Sequence, residues 1–422
     1  MRKSLIVIGV WLLAAAAACS SLLGLEDTRT SGLDCPPQQA DCDGRADNGC
    51  EADLSSAATC GACGSACGGA EPLCAASGAS FACAGSCEAP LEICGSACTN
   101  LADSAANCGR CGHDCGGGQC VGGVCQPTLV ADAADALDTP AALAVNATSI
   151  FWSERTRVRS CPLPQGCLLA PALIADTYDQ LKALAVTDDA VYFSGCRACD
   201  DHHDLYRCPV TGCPAVNPLI SFTLISYNDI VLGKTRAFWQ DTTEAITGCA
   251  MSDCAGTDTR WTRLTFGFED LVSMTSDGDT LYVKGSTMDL RTCPDADGCA
   301  MPTALPNSSL LPMLFRVHAG QAYWLAPGPT TGQVRKCAIN DCGGGTLFAV
   351  DSYGGTELEV DDTGVYWLNP MQGTLRHCAL TGCPVGGAGT LATGRVMPKA
   401  LTLGKGFVYW IEGNTVVKVA KP

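Results

Sequence analysis

The sequence predicts an all-β fold, a seven-bladed β-propeller preceded by a small disulfide-rich segment. Three observations support this prediction. An aromatic pair, which is Tyr282-Val283 in one copy, recurs seven times between residues 126 and 422, at intervals of 41 to 46 residues. Glycine-rich and aspartate-rich turns separate the apolar runs of this region. Residues 35–125 carry regularly spaced cysteines but few large apolar side chains.

Each copy of the repeat begins with an apolar triplet, followed by a turn and the aromatic pair. The copies are Leu143-Ala144-Val145 with Phe151-Trp152, Leu184-Ala185-Val186 with Tyr192-Phe193, Ile230-Val231-Leu232 with Phe238-Trp239, Val272-Ser273-Met274 with Tyr282-Val283, Phe315-Arg316-Val317 with Tyr323-Trp324, Leu358-Glu359-Val360 with Tyr366-Trp367, and Leu401-Thr402-Leu403 with Tyr409-Trp410. The period suits one four-stranded blade, so triplet and pair predict its first two strands. We expect the aromatic pairs to be buried between blades.

The two ends of the repeat region each supply part of one blade. The chain closes on a third strand, Thr415 to Val419, that has no fourth strand after it. The segment Thr128-Leu129-Val130 is predicted to be the fourth strand of a blade whose first three strands do not precede it. Pairing these segments predicts a ring of seven blades without open sheet edges at the junction.

Six of the seven copies carry a close pair of cysteines after the third strand. The pairs are Cys161 with Cys167, Cys208 with Cys213, Cys249 with Cys254, Cys293 with Cys299, Cys337 with Cys342, and Cys378 with Cys383. We expect each pair to form a disulfide across one tight turn. In the seventh copy, Val419 occupies the place of the first cysteine.

Residues 35–125 contain a duplicated cysteine pattern. Cysteines 50, 60, 63 and 67 are spaced by ten, three and four residues, and cysteines 98, 108, 111 and 115 repeat these intervals. In an exported chain this pattern predicts a disulfide framework whose pairing remains open. Zinc or an iron–sulfur cluster is the alternative. The sequence around Asn48-Gly49-Cys50 resembles short cysteine repeats of exported myxobacterial proteins.

The N-terminus predicts export and lipidation. Met1-Arg2-Lys3 precedes a short apolar run, so residues 1–18 read as a signal peptide. Leu12 to Ser20 resembles a bacterial lipobox, which implies acylation of Cys19 and a lipidated linker over residues 19–34; Ala16 departs from the usual leucine. Of 31 cysteines, removing Cys19 leaves sixteen in residues 35–125 and fourteen in residues 161–383, both even sets. Secretion without a lipid and a retained helix are the alternatives.

The charge of the chain narrows the possible partners. A net charge of −17 disfavours nucleic acid and anionic lipid surfaces. We therefore expect membrane contact only through the N-terminal lipid, in the cell envelope and at the outer membrane rather than the inner one.

One segment after the second aromatic pair has an unusual composition. Ser194 to Asp204 contains Cys196, Cys199, His202 and His203 beside several carboxylates, and it reads as an exposed loop. These side chains suit zinc or copper. A Cys196–Cys199 disulfide is the favoured alternative, and a redox-active pair is a third.

The sequence shows no motif of a known catalytic site, and we expect no cofactor. The Tyr-Trp pairs resemble those of YWTD-type and NHL-like propellers, without their full signature. The leading hypothesis is a non-catalytic envelope lipoprotein whose propeller binds a protein or a glycan. The alternatives are a propeller enzyme acting on extracellular polysaccharide and a metal-binding envelope protein.

Six acidic residues fall in loops of one predicted face and form a candidate cation-binding rim. They are Asp135, Asp138, Asp176, Asp179, Glu269 and Asp270.

Overall fold

The structure is a computed structural model of the 422-residue chain. It describes residues 34–422 except 46, 78–79, 133–139, 168–170, 178–179, 197–201, 214–219, 224–229, 241–245, 253–271, 286–288, 298–302, 306–313, 328–331, 352–354 and 384–386. The chain divides into two compact units, at Asn100 and Leu101. The sequence pattern alone places the corresponding boundary after Cys125.

The first unit is built from short strands. They are β1 (Gln39–Ala40), β2 (Ala52–Asp53), β3 (Leu73–Ser77), β4 (Ser80–Ala84), β5 (Glu92–Cys94) and β6 (Ala97–Thr99). β1 pairs with β2, and the other four form one sheet in the order β4-β3-β6-β5. Apart from cysteines, Ala52 and Leu73 are the buried apolar residues in the described part of this unit. Burial therefore contributes little to its order.

Disulfides supply the cross-links. Within the first unit they join Cys35 to Cys50, Cys42 to Cys63, Cys60 to Cys74, Cys67 to Cys83 and Cys87 to Cys98; in the second they join Cys108 to Cys120 and Cys115 to Cys125. Cys94 and Cys111 are also disulfide-bonded. The duplicated cysteine pattern thus extends to the pairing, because in each copy the second and fourth cysteines bond to later ones.

The backbone hydrogen bonds repeat in the same way. Cys60 N donates to Ser65 O at 2.7 Å, and in the second copy Cys108 N donates to His113 O at 2.8 Å. Gly61 N donates to Leu54 O at 2.9 Å, as Gly109 N does to Leu101 O at 2.8 Å. The two copies are therefore one structural module used twice.

The second unit consists almost entirely of β-sheet. Its strands are β7 (Cys120–Val121), β8 (Val124–Cys125), β9 (Thr128–Asp132), β10 (Ala142–Val145), β11 (Ser149–Ser153), β12 (Arg157–Pro162), β13 (Ala172–Asp176), β14 (Gln180–Val186), β15 (Ala190–Cys196), β16 (His202–Pro209), β17 (Ile220–Thr223), β18 (Val231–Leu232), β19 (Arg236–Gln240), β20 (Ile246–Ala250), β21 (Val272–Ser276), β22 (Thr280–Gly285), β23 (Arg291–Pro294), β24 (Thr303–Ala304), β25 (Arg316–His318), β26 (Gln321–Pro327), β27 (Gly332–Ala338), β28 (Asp341–Asp351), β29 (Glu357–Asp361), β30 (Gly364–Asn369), β31 (Thr374–Cys378), β32 (Gly389–Ala392), β33 (Lys399–Gly404), β34 (Phe407–Glu412) and β35 (Thr415–Ala420). A 3-10 helix covers Asp295–Asp297. Among the described residues, no helix has the length and apolarity to cross a membrane.

Beyond the β7–β8 hairpin, the described strands of this unit form seven antiparallel sheets, which we number in chain order. Sheets 1 to 6 are β10–β13, β14–β17, β18–β20, β21–β24, β25–β28 and β29–β32, and sheet 7 is β33-β34-β35-β9. Sheet 3 has three described strands and the others have four. Meandering four-stranded sheets with a period of one blade are the architecture of a β-propeller.

The aromatic pairs lie on the second strand of each sheet. Trp152, Trp367 and Trp410 are fully buried, together with one neighbouring aromatic residue in each pair. The apolar clusters around them draw on adjacent sheets, as where Tyr323 of sheet 5 packs with Trp367 of sheet 6. The predicted core role of these residues is confirmed, because a sheet covered on both faces buries consecutive side chains.

Strands from opposite ends of the repeat region meet in sheet 7. β9 pairs antiparallel with β35, with Ala131 opposite Val416 and Thr128 opposite Lys418. Val130 and Val416 are both 1% exposed. The first strands of successive sheets contact one another, and β33 of sheet 7 contacts β10 of sheet 1.

Turn disulfides follow the third strands. The structure joins Cys161 to Cys167, Cys208 to Cys213, Cys337 to Cys342 and Cys378 to Cys383. Cys249 and Cys293 are disulfide-bonded as well, while Cys254 and Cys299 lie outside the described residues. In sheet 7, Val419 stands opposite Val408, as Cys378 stands opposite Val365 in sheet 6.

Residues 101–125 pack against sheet 7. Cys115 and Cys125 share an apolar cluster with Trp410, against which Phe407 also packs. His113 lies between two carbonyl groups, with Nδ1 2.6 Å from Cys108 O and Nε2 2.7 Å from Lys421 O. The second half of the cysteine segment is therefore part of the compact sheet unit, which the cysteine spacing does not reveal.

The segment Ser194 to Asp204 is more ordered than the sequence suggests. β15 continues to Cys196 and β16 begins at His202, so the hairpin extends into the predicted loop. Asp204 is buried and accepts a hydrogen bond from Tyr206 Oη at 3.2 Å. The prediction of an eleven-residue exposed loop is wrong, because the residues at both of its ends belong to paired strands.

Candidate functional site

The candidate site is the opening at the centre of the second unit, on the face where the first strands begin. We call this end, marked by Ala142 in β10 and Glu357 in β29, the front face. The opening encloses about 920 Å³. The apolar part of its lining includes Leu143, Leu184, Ile230, Leu325, Leu358 and Leu401. Five of these residues lie in sheets 1, 2, 5, 6 and 7, and Ile230 immediately precedes β18 of sheet 3, so the site depends on the assembled unit.

Three charged side chains line the same opening, and each has partners within the chain. Arg316 and Glu359 form an ion pair with Nη2 2.8 Å from Oε1. Glu357 accepts hydrogen bonds from the backbone amides of Ala400 at 2.9 Å and Leu401 at 2.6 Å. These carboxylates hold neighbouring sheets together. The described lining of this opening contains no histidine or cysteine.

The opposite end, the rear face, is formed by the turns between first and second strands. His318 Nε2 lies 3.0 Å from Asp362 Oδ1. Asp361 pairs with Lys421 and accepts a hydrogen bond from the amide of Thr363 at 2.9 Å. Although burial raises the pKa of Asp361, the hydrogen bonds from Lys421 and Thr363 outweigh it and lower that pKa below its usual value.

The other described turn aspartates also serve local structure. Asp277 accepts hydrogen bonds from Thr280 N at 2.9 Å and Tyr282 Oη at 2.8 Å. Asp189 accepts a 2.7 Å hydrogen bond from Thr187 Oγ1, which lowers the pKa of Asp189. This agrees with the preference of aspartate for turns in which its side chain bonds to nearby groups.

Carboxylates on the front face accept hydrogen bonds from buried indoles. Trp152 Nε1 donates to Glu154 at 3.1 Å, Trp367 Nε1 to Asp351 at 2.6 Å and Trp410 Nε1 to Glu412 at 3.5 Å. Sequence reasoning missed these partners. A buried indole N–H needs a hydrogen-bond acceptor. The Trp-x-Glu spacing in two of the copies could therefore have indicated these partners.

The candidate metal ligands fall partly within the described structure. Cys196 and His203 stand directly opposite each other in the register of β15 and β16, and His202 is the neighbouring residue on β16. Cys199 lies outside the described residues. The structure therefore brings the backbones of two candidate ligands together.

The candidate acidic rim is represented by one described residue. Asp176 lies at the end of β13 and pairs with Arg157, with 3.4 Å between Oδ2 and Nε. Asp135, Asp138, Asp179, Glu269 and Asp270 lie outside the described residues, as does the lipidation candidate Cys19. The charge of Asp176 is thus already partnered.

Two sulfur groups and one carboxylate group in the described chain have ligand atoms close enough to share an ion. The sulfur groups are Cys60, Cys67 and Cys83, and Cys108, Cys115 and Cys125. All six of these cysteines are in disulfides. The oxygens of Asp41, Asp43 and Glu51 accept local hydrogen bonds, including Cys42 N to Glu51 at 2.6 Å. Because disulfide sulfur is not a thiolate, the sulfur groups reflect neighbouring cross-links.

Comparison with known proteins gives structural likeness without a family. No family model matches the chain. No curated protein matches it either. Among solved structures, the WD40 β-propeller domain of Doa1 is 8% identical and aligns over 69% of this chain and 96% of its own, with a TM-score of 0.46. BamB from Moraxella catarrhalis is 12% identical, with coverage of 72% and 88% and a TM-score of 0.42. The computationally designed Ika8 protein is 11% identical, with coverage of 70% and 99% and a TM-score of 0.45.

Proposed function

We propose that this protein is a lipid-anchored component of the bacterial cell envelope whose propeller is a non-catalytic binding scaffold for a protein or a glycan. The central opening carries this proposal. Most of its described lining residues are apolar by type, and Arg316, Glu357 and Glu359 are each engaged in contacts between sheets. A hydrolase acting on polysaccharide needs carboxyl groups that are free to protonate the leaving group or attack the sugar. Binding is therefore favoured over catalysis at this opening.

We further propose that the seven sheets are the blades of one closed ring. The pairing of β9 with β35 and the contact of β33 with β10 support closure. A closed ring presents a rigid surface built from many connections, and binding residues on such loops are held in place by the scaffold. This rigidity suits a protein that recognises a partner.

The membrane anchor rests on Cys19 and its lipobox-like context. It is tested by growing cells with an alkyne-labelled fatty acid and isolating the protein. The expected result is label on the wild-type protein, no label on Cys19→Ser, and release of that variant from washed membranes. A variant that keeps its label, or a wild-type protein without it, would overturn the anchor. Separation of inner from outer membranes then tests the predicted location.

The scaffold is tested by photocrosslinking in cells. A photoreactive residue placed at Leu314, at the mouth of the opening, should give a discrete crosslinked product with envelope protein or glycan. The same group at Leu173, exposed on the outer strand β13, is the matched control. Turnover of envelope polysaccharides by the purified protein, abolished by Glu359→Gln but not by a surface variant, would replace the scaffold with an enzyme.

Metal binding through sheet 2 is the second candidate. The observation in its favour is the register that places Cys196 opposite His203. Elemental analysis of protein exported into an oxidising compartment is the test. Stoichiometric zinc or copper that is lost in His203→Ala supports the metal site, and the absence of metal together with a Cys196–Cys199 disulfide on peptide mapping overturns it.

A further inference from the structure

The central opening continues toward the rear face as a channel. A second cavity, of about 420 Å³, is lined by the first strands of all seven sheets. It has six lining residues in common with the opening, so one cavity leads into the other. These residues are Leu143, Leu184, Ile230, Arg316, Glu359 and Thr402. We name the two cavities together the axial channel.

The sides of the axial channel differ in chemistry. Contacts between neighbouring first strands place the seven sheets around it in chain order. Every lining residue from sheets 1 to 3, or from just before their first strands, is alanine, valine, leucine or isoleucine. The charged lining residues Arg316, Glu357 and Glu359 come from sheets 5 and 6, and Thr402 of sheet 7 adds a hydroxyl. The channel therefore combines an aliphatic wall with a polar wall.

The guanidinium group of the polar wall is already engaged. Arg316 Nε and Nη2 lie 2.9 and 2.8 Å from Glu359 Oε1, and Arg316 Nη1 donates to Phe315 O at 3.2 Å. A carboxylate or phosphate group of a ligand would have to displace Glu359 from this pair. The polar wall therefore disfavours an anionic ligand.

The carboxylates of the polar wall outnumber the guanidinium by one. Glu357 engages both of its oxygens with the amides of Ala400 and Leu401. Glu359 makes both contacts with Arg316 through Oε1, and its Oε2 accepts no hydrogen bond within the described part of the chain. The described lining thus keeps one excess negative charge and one carboxylate oxygen that can accept a hydrogen bond.

Cations near the two ends of the channel leave this balance unchanged. The turns at the rear end contribute two lysines and two aspartates, which are Lys405, Lys421, Asp361 and Asp362. On the front face, exposed Arg155 and Lys399 lie outside the lining of both cavities. Salt screens such exposed charges, whereas it screens partly buried charges much less. The groups inside the channel therefore decide which charge it accepts.

These properties favour an alkyl chain that ends in an ammonium group. The aliphatic wall gains by burying methylene groups. An ammonium group is a compact donor that suits one accepting oxygen, whereas the planar fork of a guanidinium suits both oxygens of a carboxylate. The opening, at about 920 Å³, is close to the upper size of about 1,000 Å³ for small-molecule sites, so it also admits the backbone beside such a chain.

We propose that the axial channel receives a lysine side chain of a protein partner. The methylene groups pack on Leu143, Leu184 and Ile230, and the ammonium donates to Glu359 Oε2 and Thr402 Oγ1. All five residues line both cavities. This inference rests on the proposed scaffold function and names the group that the partner inserts. Free alkylamines share this chemistry, and the test separates them from lysine in a protein.

The test is calorimetric titration of the oxidised protein with two blocked pentapeptides. Each has a central residue flanked by alanines, which is lysine in one peptide and norleucine in the other. Norleucine keeps the carbon chain and lacks the ammonium. The lysine peptide should bind at one site, at least about tenfold more tightly than the norleucine peptide, a difference of about 1.4 kcal/mol. Equal binding of the two peptides would overturn the proposal.

The free amine n-butylammonium is titrated in the same way. It should bind at least about tenfold more weakly than the lysine peptide, because it lacks the backbone that the wide opening admits. Binding as tight as that of the lysine peptide would assign the channel to free amines and overturn a protein partner as the source.

Variants of the two walls test the two contributions. Glu359→Gln removes the accepting charge and leaves Arg316 unbalanced, so binding of the lysine peptide should weaken at least about tenfold and that of the norleucine peptide less than about twofold. Leu184→Gln should weaken both. The matched controls Glu92→Gln and Leu173→Gln, at exposed positions outside the channel, should change neither. Equal loss of both peptides in Glu359→Gln would remove the ammonium from this site.

Crosslinking at Leu314 distinguishes failure of this inference from failure of the scaffold. If a crosslinked product forms while the lysine peptide does not bind, the scaffold stands and lysine insertion is wrong. If neither occurs, both proposals are wrong. If both occur, the peptide should compete with formation of the crosslinked product.

Discussion

The two units of this protein obtain their order by different means. In the first, the described buried apolar residues other than cysteine are Ala52 and Leu73, and five disulfides close loops of 11 to 21 residues. In the second, Trp152, Trp367 and Trp410 are fully buried and the disulfides of sheets 1, 2, 5 and 6 span only 5 or 6 residues. A cross-link restricts the unfolded chain more when the loop is longer. The first unit therefore depends on its disulfides, whereas the second uses them as supplements to burial.

The second copy of the cysteine module combines both means. It keeps the disulfides and hydrogen bonds of the first copy, yet Cys115 and Cys125 also pack with residues of sheet 7. The same local sequence pattern thus depends on cross-links in the first unit and covers a sheet in the second. The difference lies in which large apolar residues are nearby.

Reduction of the disulfides is the strongest way to break this comparison. Residues 34–100 should lose their structure in reductant, because a 15-residue loop accounts for about 3 kcal/mol of stability and burial cannot replace it. The sheets should remain folded. Hydrogen exchange followed by mass spectrometry measures both regions in one sample. Simultaneous loss of protection in β3 and β30 would contradict the distinction.

Removal of one buried indole tests burial in the sheets. Trp367→Ala should cost about 3–5 kcal/mol of unfolding free energy, because it leaves a cavity and removes the donor for buried Asp351. Urea unfolding of the oxidised protein gives the value. Trp367→Phe, which keeps most of the volume, should cost less; equal losses would attribute the effect to the hydrogen bond alone.

Removal of a turn disulfide should have a smaller effect. The double variant Cys378→Ser/Cys383→Ser is expected to lose about 2 kcal/mol, since the closed loop is short. Thermal unfolding and peptide mapping check the result. A loss as large as that caused by reducing the first unit would mean that the sheets also depend on cross-links.

The ion pair between Asp361 and Lys421 links sheets 6 and 7, and we expect its contribution to stability to depend on pH. Its pKa is lowered in the folded state, so its stabilisation is present above the unfolded value of about 3.9 and is lost as pH falls through the folded value. Asp361→Asn should cost about 1–3 kcal/mol at about pH 7, because buried Lys421 loses its charged partner, and this difference should shrink below about pH 4. A difference independent of pH would exclude the charge of Asp361 as its cause.

His113 provides the finest comparison, because Ser65 occupies its place in the first module. His113→Ser should leave the module folded but loosen its packing on sheet 7, with a loss of about 1 kcal/mol, since the imidazole contacts with Cys108 O and Lys421 O disappear. Hydrogen exchange in residues 101–125 is the readout. Unchanged exchange would assign the packing to the apolar cluster alone.

The repeat made much of the fold predictable. Aromatic pairs such as Tyr366-Trp367 mark buried second strands, and the strand segments at the two ends of the repeat region identify β9 and β35 as partners. These inferences succeed because burial on both faces of a sheet leaves a periodic trace in the sequence. The strand content of Ser194–Cys196 left no such trace, since polar residues and glycine there pair through the backbone.

The candidate site was less predictable than the fold. The pairing of Glu357 with the amides of Ala400 and Leu401 joins residues from different sheets, and no local pattern encodes it. The packing of residues 101–125 on sheet 7 likewise depends on Phe407 and Trp410, which are remote in sequence.

The pairing of β9 with β35 also determines when folding of the second unit can be completed. During synthesis, β9 is made before the strands of sheets 1 to 6, while β35 is the last of the described strands to be made. Until then, β9 exposes unpaired backbone groups and the buried surface of Val130, and sheet 7 lacks its outer strand. Contacts between residues so far apart in sequence form slowly and leave edges open to other chains. The incomplete chain therefore exposes an open strand edge to other chains until β35 has paired with β9.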